Sequence, residues 1–165
     1  MESVIHPLVF LNISNHFTHA RVNKQIEPNK LLCGCLLGTR IGRRTELFTS
    51  FELKLDHDIV DRTLLLERAA QFYESYTDYT VLGWYFIGSQ ITPQVLTIHK
   101  QVAAITECSL VCVMFDEQQT TADKQFVLFE IEVCFFRIHF LCYSACRMIN
   151  SIKFCIILKL LNQKE

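Results

Sequence analysis

Eight consecutive residues, Val81-Leu82-Gly83-Trp84-Tyr85-Phe86-Ile87-Gly88, constrain the fold more than any other stretch of the chain. A run this apolar and aromatic, bounded by Asp78 and Gly88, predicts a buried strand. It carries the chain's single Trp, and large aromatic side chains dominate core energetics, so the strand belongs at the centre of the fold. Thr92-Pro93 then supplies a helix start, a Thr cap followed by Pro at the first helical position. Val95, Ile98, Val102 and Ile105 recur at helical spacing and predict an amphipathic helix over Pro93–Thr106.

The flanking sequence supplies the other layers. Val4-Ile5-His6 reads as a short strand, and Pro7 opens a helix whose apolar face is Phe10, Ile13, Phe17 and Ala20. Asn12, Asn15, His16 and His19 then lie mostly off that face. After a turn over Glu27–Lys30, Leu31 to Leu37 is a near-continuous apolar run, predicting a strand covered on both faces, with Gly34 marking a close backbone approach. Gly38 to Arg44 reads as a turn and Thr45 to Leu53 as the returning strand. Asp56-His57-Asp58 opens a polar connection, and Asp61 caps a helix with Leu65, Ala69, Phe72 and Tyr76 as its buried stripe. Ser109 to Phe115 is a further buried strand, Asp116 to Lys124 a polar loop, and Gln125 to Val133 a last strand. Strand, helix, hairpin, helix, strand, helix, strand, strand is the order of an α/β sandwich with a mixed sheet.

Length and charge exclude several classes. At 165 residues the chain fits one domain able to bury its own core, and a net charge of −1 offers no nucleic-acid footprint. Eight cysteines would be a disulfide framework in a short secreted chain. Here they sit inside apolar runs, without repeated C-x-x-C spacing, and read as reduced core residues. The N-terminus, with Glu2 and Pro7 and no basic region, does not read as a signal peptide; cytoplasm and nucleus are the expected compartments.

Three groups invite a chemical reading and a plainer one. His16 and His19 are three apart on a helix, but without a nearby carboxylate or Cys they read as a solvated face rather than a metal site. Arg40, Arg43 and Arg44 read as a solvated hairpin tip rather than an anion site. Asp56, His57 and Asp58 read as a solvated loop, because adjacent loop residues rarely converge on one point.

The strand–loop–helix over residues 81–106 resembles the centre of an MPN (Jab1/Mov34) domain, and the likeness extends over about Ser3 to Val133. The Gly34 to Gly38 strand, Ser50-Phe51-Glu52-Leu53 and Gly83-Trp84-Tyr85 carry it. His6-Pro7-Leu8-Val9, Leu11-Asn12-Ile13-Ser14 and His99-Lys100-Gln101-Val102 are similar to the COP9 signalosome subunit 6 branch, whose members are non-catalytic. The resemblance implies an MPN-type, cytidine-deaminase-like mixed β-sheet sandwiched by helices. Active members of the family hold zinc with two His and an Asp, with a Glu as base, leaving one open position for water. Carried over position by position, the base falls on Leu31, the two His on Phe86 and Gly88, the supporting Ser on Leu96 and the Asp on His99. His99 alone retains a metal-binding group and reads as a partly buried helix residue, so the resemblance implies no catalytic residues, no metal and no cofactor.

By the same resemblance the chain is a scaffold subunit, not an enzyme. Its partners would be a catalytic MPN paralogue and other COP9 signalosome subunits, its role support of cullin deneddylation. Leu8, Val9 and Leu11 on the first helix are the candidate interface, being apolar beyond one stripe. An inactive subunit of the proteasome lid or of translation initiation factor 3 is the alternative; an active zinc isopeptidase and a membrane-surface protein are weaker ones. The likeness stops at Val133. Residues 134–165 form an apolar, Cys-rich tail interrupted by Arg137, Arg147, Lys153 and Lys159, read as a divergent end outside the family fold, which is thus truncated. That reading leaves the last strand, with Phe126, Val127, Leu128, Phe129, Ile131 and Val133, as an unpaired edge.

Overall fold

The computed structural model describes residues 2–23, 31–108, 110–119, 125–133 and 144–148. In chain order the elements are β1 (Glu2–Ile5), α1 (Pro7–Val22), β2 (Cys33–Ile41), β3 (Arg44–Leu53), β4 (Leu55–Asp56), β5 (Ile59–Val60) and α2 (Arg62–Ser75). They continue with β6 (Thr80–Ile87), α3 (Pro93–Thr106), β7 (Val111–Phe115), β8 (Phe126–Val133) and β9 (Ser144–Met148). Seven strands form one sheet in the order β1-β3-β2-β6-β7-β8-β9, and β4 and β5 form a separate small hairpin. The sheet is mixed: β1 runs parallel to β3 and β6 parallel to β7, while the other pairs are antiparallel.

β6 lies at the centre of this sheet because neither of its faces meets water. Trp84 and Phe86 point to one side, where they join Leu65, Val95, Ile98 and Val102 from α2 and α3. Tyr85 and Leu82 belong to the other core, with Val9 and Ile13 of α1. The strand's continuous apolar run thus reports a layer covered by helices on both sides. The turn signals sit where the sequence puts them. Thr92 caps α3 through its hydroxyl, which accepts from the Val95 amide at 3.3 Å. Asp61 does the same for α2 at the Leu64 amide, at 3.0 Å.

Several expectations are corrected. The turn read over Gly38 to Arg44 is shorter: β2 runs on to Ile41, which pairs with Arg44, leaving Gly42 and Arg43 as a two-residue loop. Gly42 has φ 60°, the left-handed conformation that a glycine at the first loop position supplies. The Asp56-His57-Asp58 connection is the turn of the β4–β5 hairpin, with Asp56 paired to Ile59. His57 and Asp58 both have positive φ, 47° and 65°, as a two-residue I′ turn requires. Tyr76 is not in a buried stripe; α2 stops at Ser75 and Tyr76, at its C-cap, is exposed. The edge of β8 is not bare, since Phe129 to Val133 pair antiparallel with Met148 to Ser144 in β9. The turn over Glu27–Lys30 and most of the tail lie outside the described residues.

Candidate functional site

The positions that hold zinc in an MPN enzyme lie around the junction of β6 and α3, and here Phe86, Leu31 and Leu96 among them belong to or pack against the apolar core. Phe86 is fully buried, packed beside Trp84 with ring centroids 5.7 Å apart. Leu31 and Leu96 are half-buried against the same cluster. Gly88 offers no side chain; its amide donates to the Phe115 carbonyl at 2.9 Å and joins the loop to the end of β7. Of the five motif positions only His99 carries a ligating atom, and one of its two nitrogens is already used. Trp84 Nε1–H donates to His99 Nδ1 at 2.9 Å. The sequence suggests partial burial for His99, but the residue is only 2 % exposed. A catalytic zinc site needs three protein ligands, and these residues do not fit one. Among the described residues no group of three or more His, Cys, Asp or Glu side chains is placed to hold a metal.

Cys33 and Cys35 lie on the same face of β2, in register with Phe86 and Trp84 of β6. Both are fully buried, and burial pushes the Cys33 thiol up to about 12 and raises Cys35 as well. They remain protonated, and a thiol in that form is a core hydrophobe, not a nucleophile.

The opposite face of β6 holds a polar constellation that sequence reasoning misses. His16 is buried, its Nδ1 2.8 Å from the Tyr85 hydroxyl, while its Nε2 lies 3.9 Å from Glu52. Burial lowers the His16 pKa; the Glu52 carboxylate raises it and His19 lowers it, by less. Burial foremost, then Glu52, raises the Tyr85 phenol far above its ordinary range. His16 is therefore neutral at pH 7 and Tyr85 is a hydroxyl. Tyr85 also explains Gly34, since a Cβ there would stand 2.4 Å from the Tyr85 ring and 2.3 Å from the Phe51 carbonyl oxygen. The signal for His16 is in the spacing. Val9, Ile13, His16 and Ala20 are the buried stripe of α1, one residue out of phase with the face read from Phe10 and Phe17, which are half-buried. His19 is exposed and acts on His16 only through its charge. Beside this group, a cavity of about 350 Å³ is bordered by His16, Leu31, Glu52, Lys54 and Arg68.

Val9 is fully buried in the chain's own core, so of the three candidate interface residues it is unavailable to a partner. Leu8 and Leu11 are 44 % and 61 % exposed and remain accessible. Asp56, His57 and Asp58 do not converge. His57 Nδ1 meets Asp56 at 2.7 Å with both side chains almost wholly exposed, and the Asp58 carboxylate accepts from Gln94 of α3. Gln101, inside the His99-Lys100-Gln101-Val102 run, ties the β4–β5 hairpin to α3. Its Oε1 accepts from the Val60 amide at 2.8 Å and its Nε2 donates to the Asp58 carbonyl at 2.8 Å. Arg44 pairs with Glu46 at 2.7 Å, and Arg40 Nε donates to the Thr45 hydroxyl at 3.3 Å, so these two hairpin-tip cations are engaged locally.

Comparison with known proteins gives consistent results. A model of the family described as JAB1/Mov34/MPN/PAD-1 ubiquitin protease matches residues 2–108. COP9 signalosome complex subunit 6 of Dictyostelium discoideum is 33 % identical over 136 residues, covering 81 % of this chain and 43 % of that protein. Subunit 6b of Arabidopsis thaliana is 37 % identical over 125 residues, covering 62 % of this chain and 39 % of its own length. Subunit 6 of Drosophila melanogaster is 34 % identical over 110 residues, covering 64 % and 32 %. The chain thus spans less than half the length of these relatives. No helix among the described residues is long and apolar enough to cross a membrane.

Proposed function

The chain belongs to the JAB1/Mov34/MPN/PAD-1 family, and from that premise we propose that it is a non-catalytic MPN subunit of the COP9 signalosome type, a scaffold supporting cullin deneddylation by a catalytic MPN partner. The observation that carries the non-catalytic half is the packing at the zinc positions. Phe86, Leu31 and Leu96 fill a core where the reaction needs ligands, a base and water, and His99 is held by Trp84. Restoring one ligand alone cannot rebuild such a site, because its chemistry requires three ligands and an open position together. The relatives named COP9 signalosome subunit 6 support the choice of complex. This reading takes residues 3–133 as the domain, with β9 extending the same sheet beyond that boundary.

Pairing with the catalytic paralogue falls to α1, where Leu8 and Leu11 offer apolar surface outside the stripe buried by the chain itself. Affinity purification of the full chain from cells, followed by mass spectrometry, tests the assignment. Signalosome subunits should be recovered in near-stoichiometric amounts, and less so from a Leu8→Asp/Leu11→Asp variant of unchanged circular dichroism. Recovery of proteasome-lid or initiation-factor subunits in their place overturns the choice of complex. Equal recovery by the variant moves the interface off α1.

A further inference from the structure

On the face of the sheet opposite α1, an open groove of about 420 Å³ lies between α2 and the end of α3. Its first wall is one side of α2: Leu65, Leu66, Ala69, Ala70 and Tyr73. Tyr79, Val81 and Ile105 form the wall and floor across from it. Leu66 and Tyr73 are 44 % and 54 % exposed, so the chain leaves large apolar surface uncovered here. The two alanines between larger neighbours make a furrow of the kind into which another helix's side chains fit.

Among the described residues the charges flanking this groove are mostly acidic, with Arg62, one turn before Leu66, the exception. Glu67 and Glu74 share one flank of α2, Asp78 adjoins Tyr79, and Glu107 stands between Thr106 and Cys108; all four are exposed. None makes an ion pair among the described residues. Arg68 is the only basic residue between Leu65 and Val81, and it lies on the other side of α2, bordering the His16 cavity and donating to Gln71. An apolar furrow with an acidic rim selects an occupant with apolar anchors and cationic flanks, because like charges brought against that rim are penalised.

We propose that this groove is a docking site for an amphipathic α-helix of a partner protein, with apolar residues at i, i+4 and i+7 flanked by Lys or Arg. The surface is distinct from α1 and does not depend on the signalosome assignment.

A labelled synthetic helix with Leu at i, i+4 and i+7 and Lys at the flanking positions is the probe, titrated against the full chain by fluorescence anisotropy. It should bind about tenfold or more tighter than the same peptide with Glu for Lys, and the gap should close toward about 1 M salt. Ala70→Trp fills the furrow from an exposed position and should weaken binding about tenfold at unchanged Tm. Glu67→Lys/Glu74→Lys, which leaves the core untouched, should reverse the preference between the two peptides. Equal binding of both peptides, or Lys-peptide binding indifferent to both variants, overturns the proposal. Self-association of the chain that Ala70→Trp abolishes also overturns it, assigning the groove to a second copy.

Discussion

Trp84 Nε1–H donates to His99 Nδ1 at 2.9 Å, joining the central strand to α3 with both side chains buried. The accepting nitrogen carries no proton, so the neutral ring holds its proton on Nε2. A position that bears a metal ligand in active members of the family has here become part of the core's hydrogen bonding.

His99→Leu removes the acceptor and leaves the indole N–H buried without it. The cost of such an orphaned donor is about 1–3 kcal/mol. His99→Asn keeps a polar acceptor at the site and should lose less. Urea unfolding followed by emission of the single Trp measures both. A His99→Leu loss under about 0.5 kcal/mol, within the range of ordinary surface changes, would show that the bond carries no stability.

The buried His16 makes stability depend on pH in one direction. Its folded pKa is lowered from 6.5, chiefly by burial, so below that value the unfolded chain binds the extra proton first. Its contribution is full above about pH 6.5 and declines as pH falls toward the folded value. His16→Gln retains a hydrogen-bonding partner for Tyr85 but does not titrate. Between about pH 7 and 5 the wild type should lose more stability than this variant. Parallel pH profiles by thermal melting would remove His16 as the cause.

Legibility in the sequence depends on how many constraints meet at each place. β6 and α3 are readable because double-sided burial, a Thr cap and Pro93 all agree over residues 81–106. The identities at the zinc positions are readable too, by resemblance, but not that His99 accepts from Trp84, a contact made only by folding. The sequence assigns His16 to solvent because the α1 face is drawn through the most apolar residues. Tyr85, which pairs with it, lies 69 positions away. The β4–β5 hairpin is hard to see because His57 and Asp58, not glycines, take the left-handed positions. Tyr76 continues the α2 spacing, but the helix ends before it.

Gln101 should behave as a local clamp. Gln101→Ala frees the Val60 amide and the Asp58 carbonyl, both held by that one side chain at 2.8 Å. A neutral hydrogen bond contributes about 0.5–1.5 kcal/mol net, so the global loss should be about 1–3 kcal/mol at most. The distinguishing effect is local: amide exchange at Val60 should accelerate while the β2 and β6 amides keep theirs. Exchange at Val60 unchanged in the variant would show that the hairpin is held by other contacts.

The pairing of β8 with β9 reverses what the sequence suggests about the tail. Read from residues alone, the apolar strand ending at Val133 has lost its neighbour, and removing residues 134–165 should leave the melting temperature nearly unchanged. In the structure Phe129 to Val133 are paired along β9, so the tail supplies the strand that occupies this edge. Deleting residues 134–165 strips away those backbone hydrogen bonds and exposes the edge. The edge so exposed begins at Phe129, and an apolar strand with an open edge is a template for pairing between chains. The expected result is a lower Tm together with concentration-dependent light scattering. A shortened chain that melts at the same temperature and stays monomeric would restore the reading of the tail as an appendage.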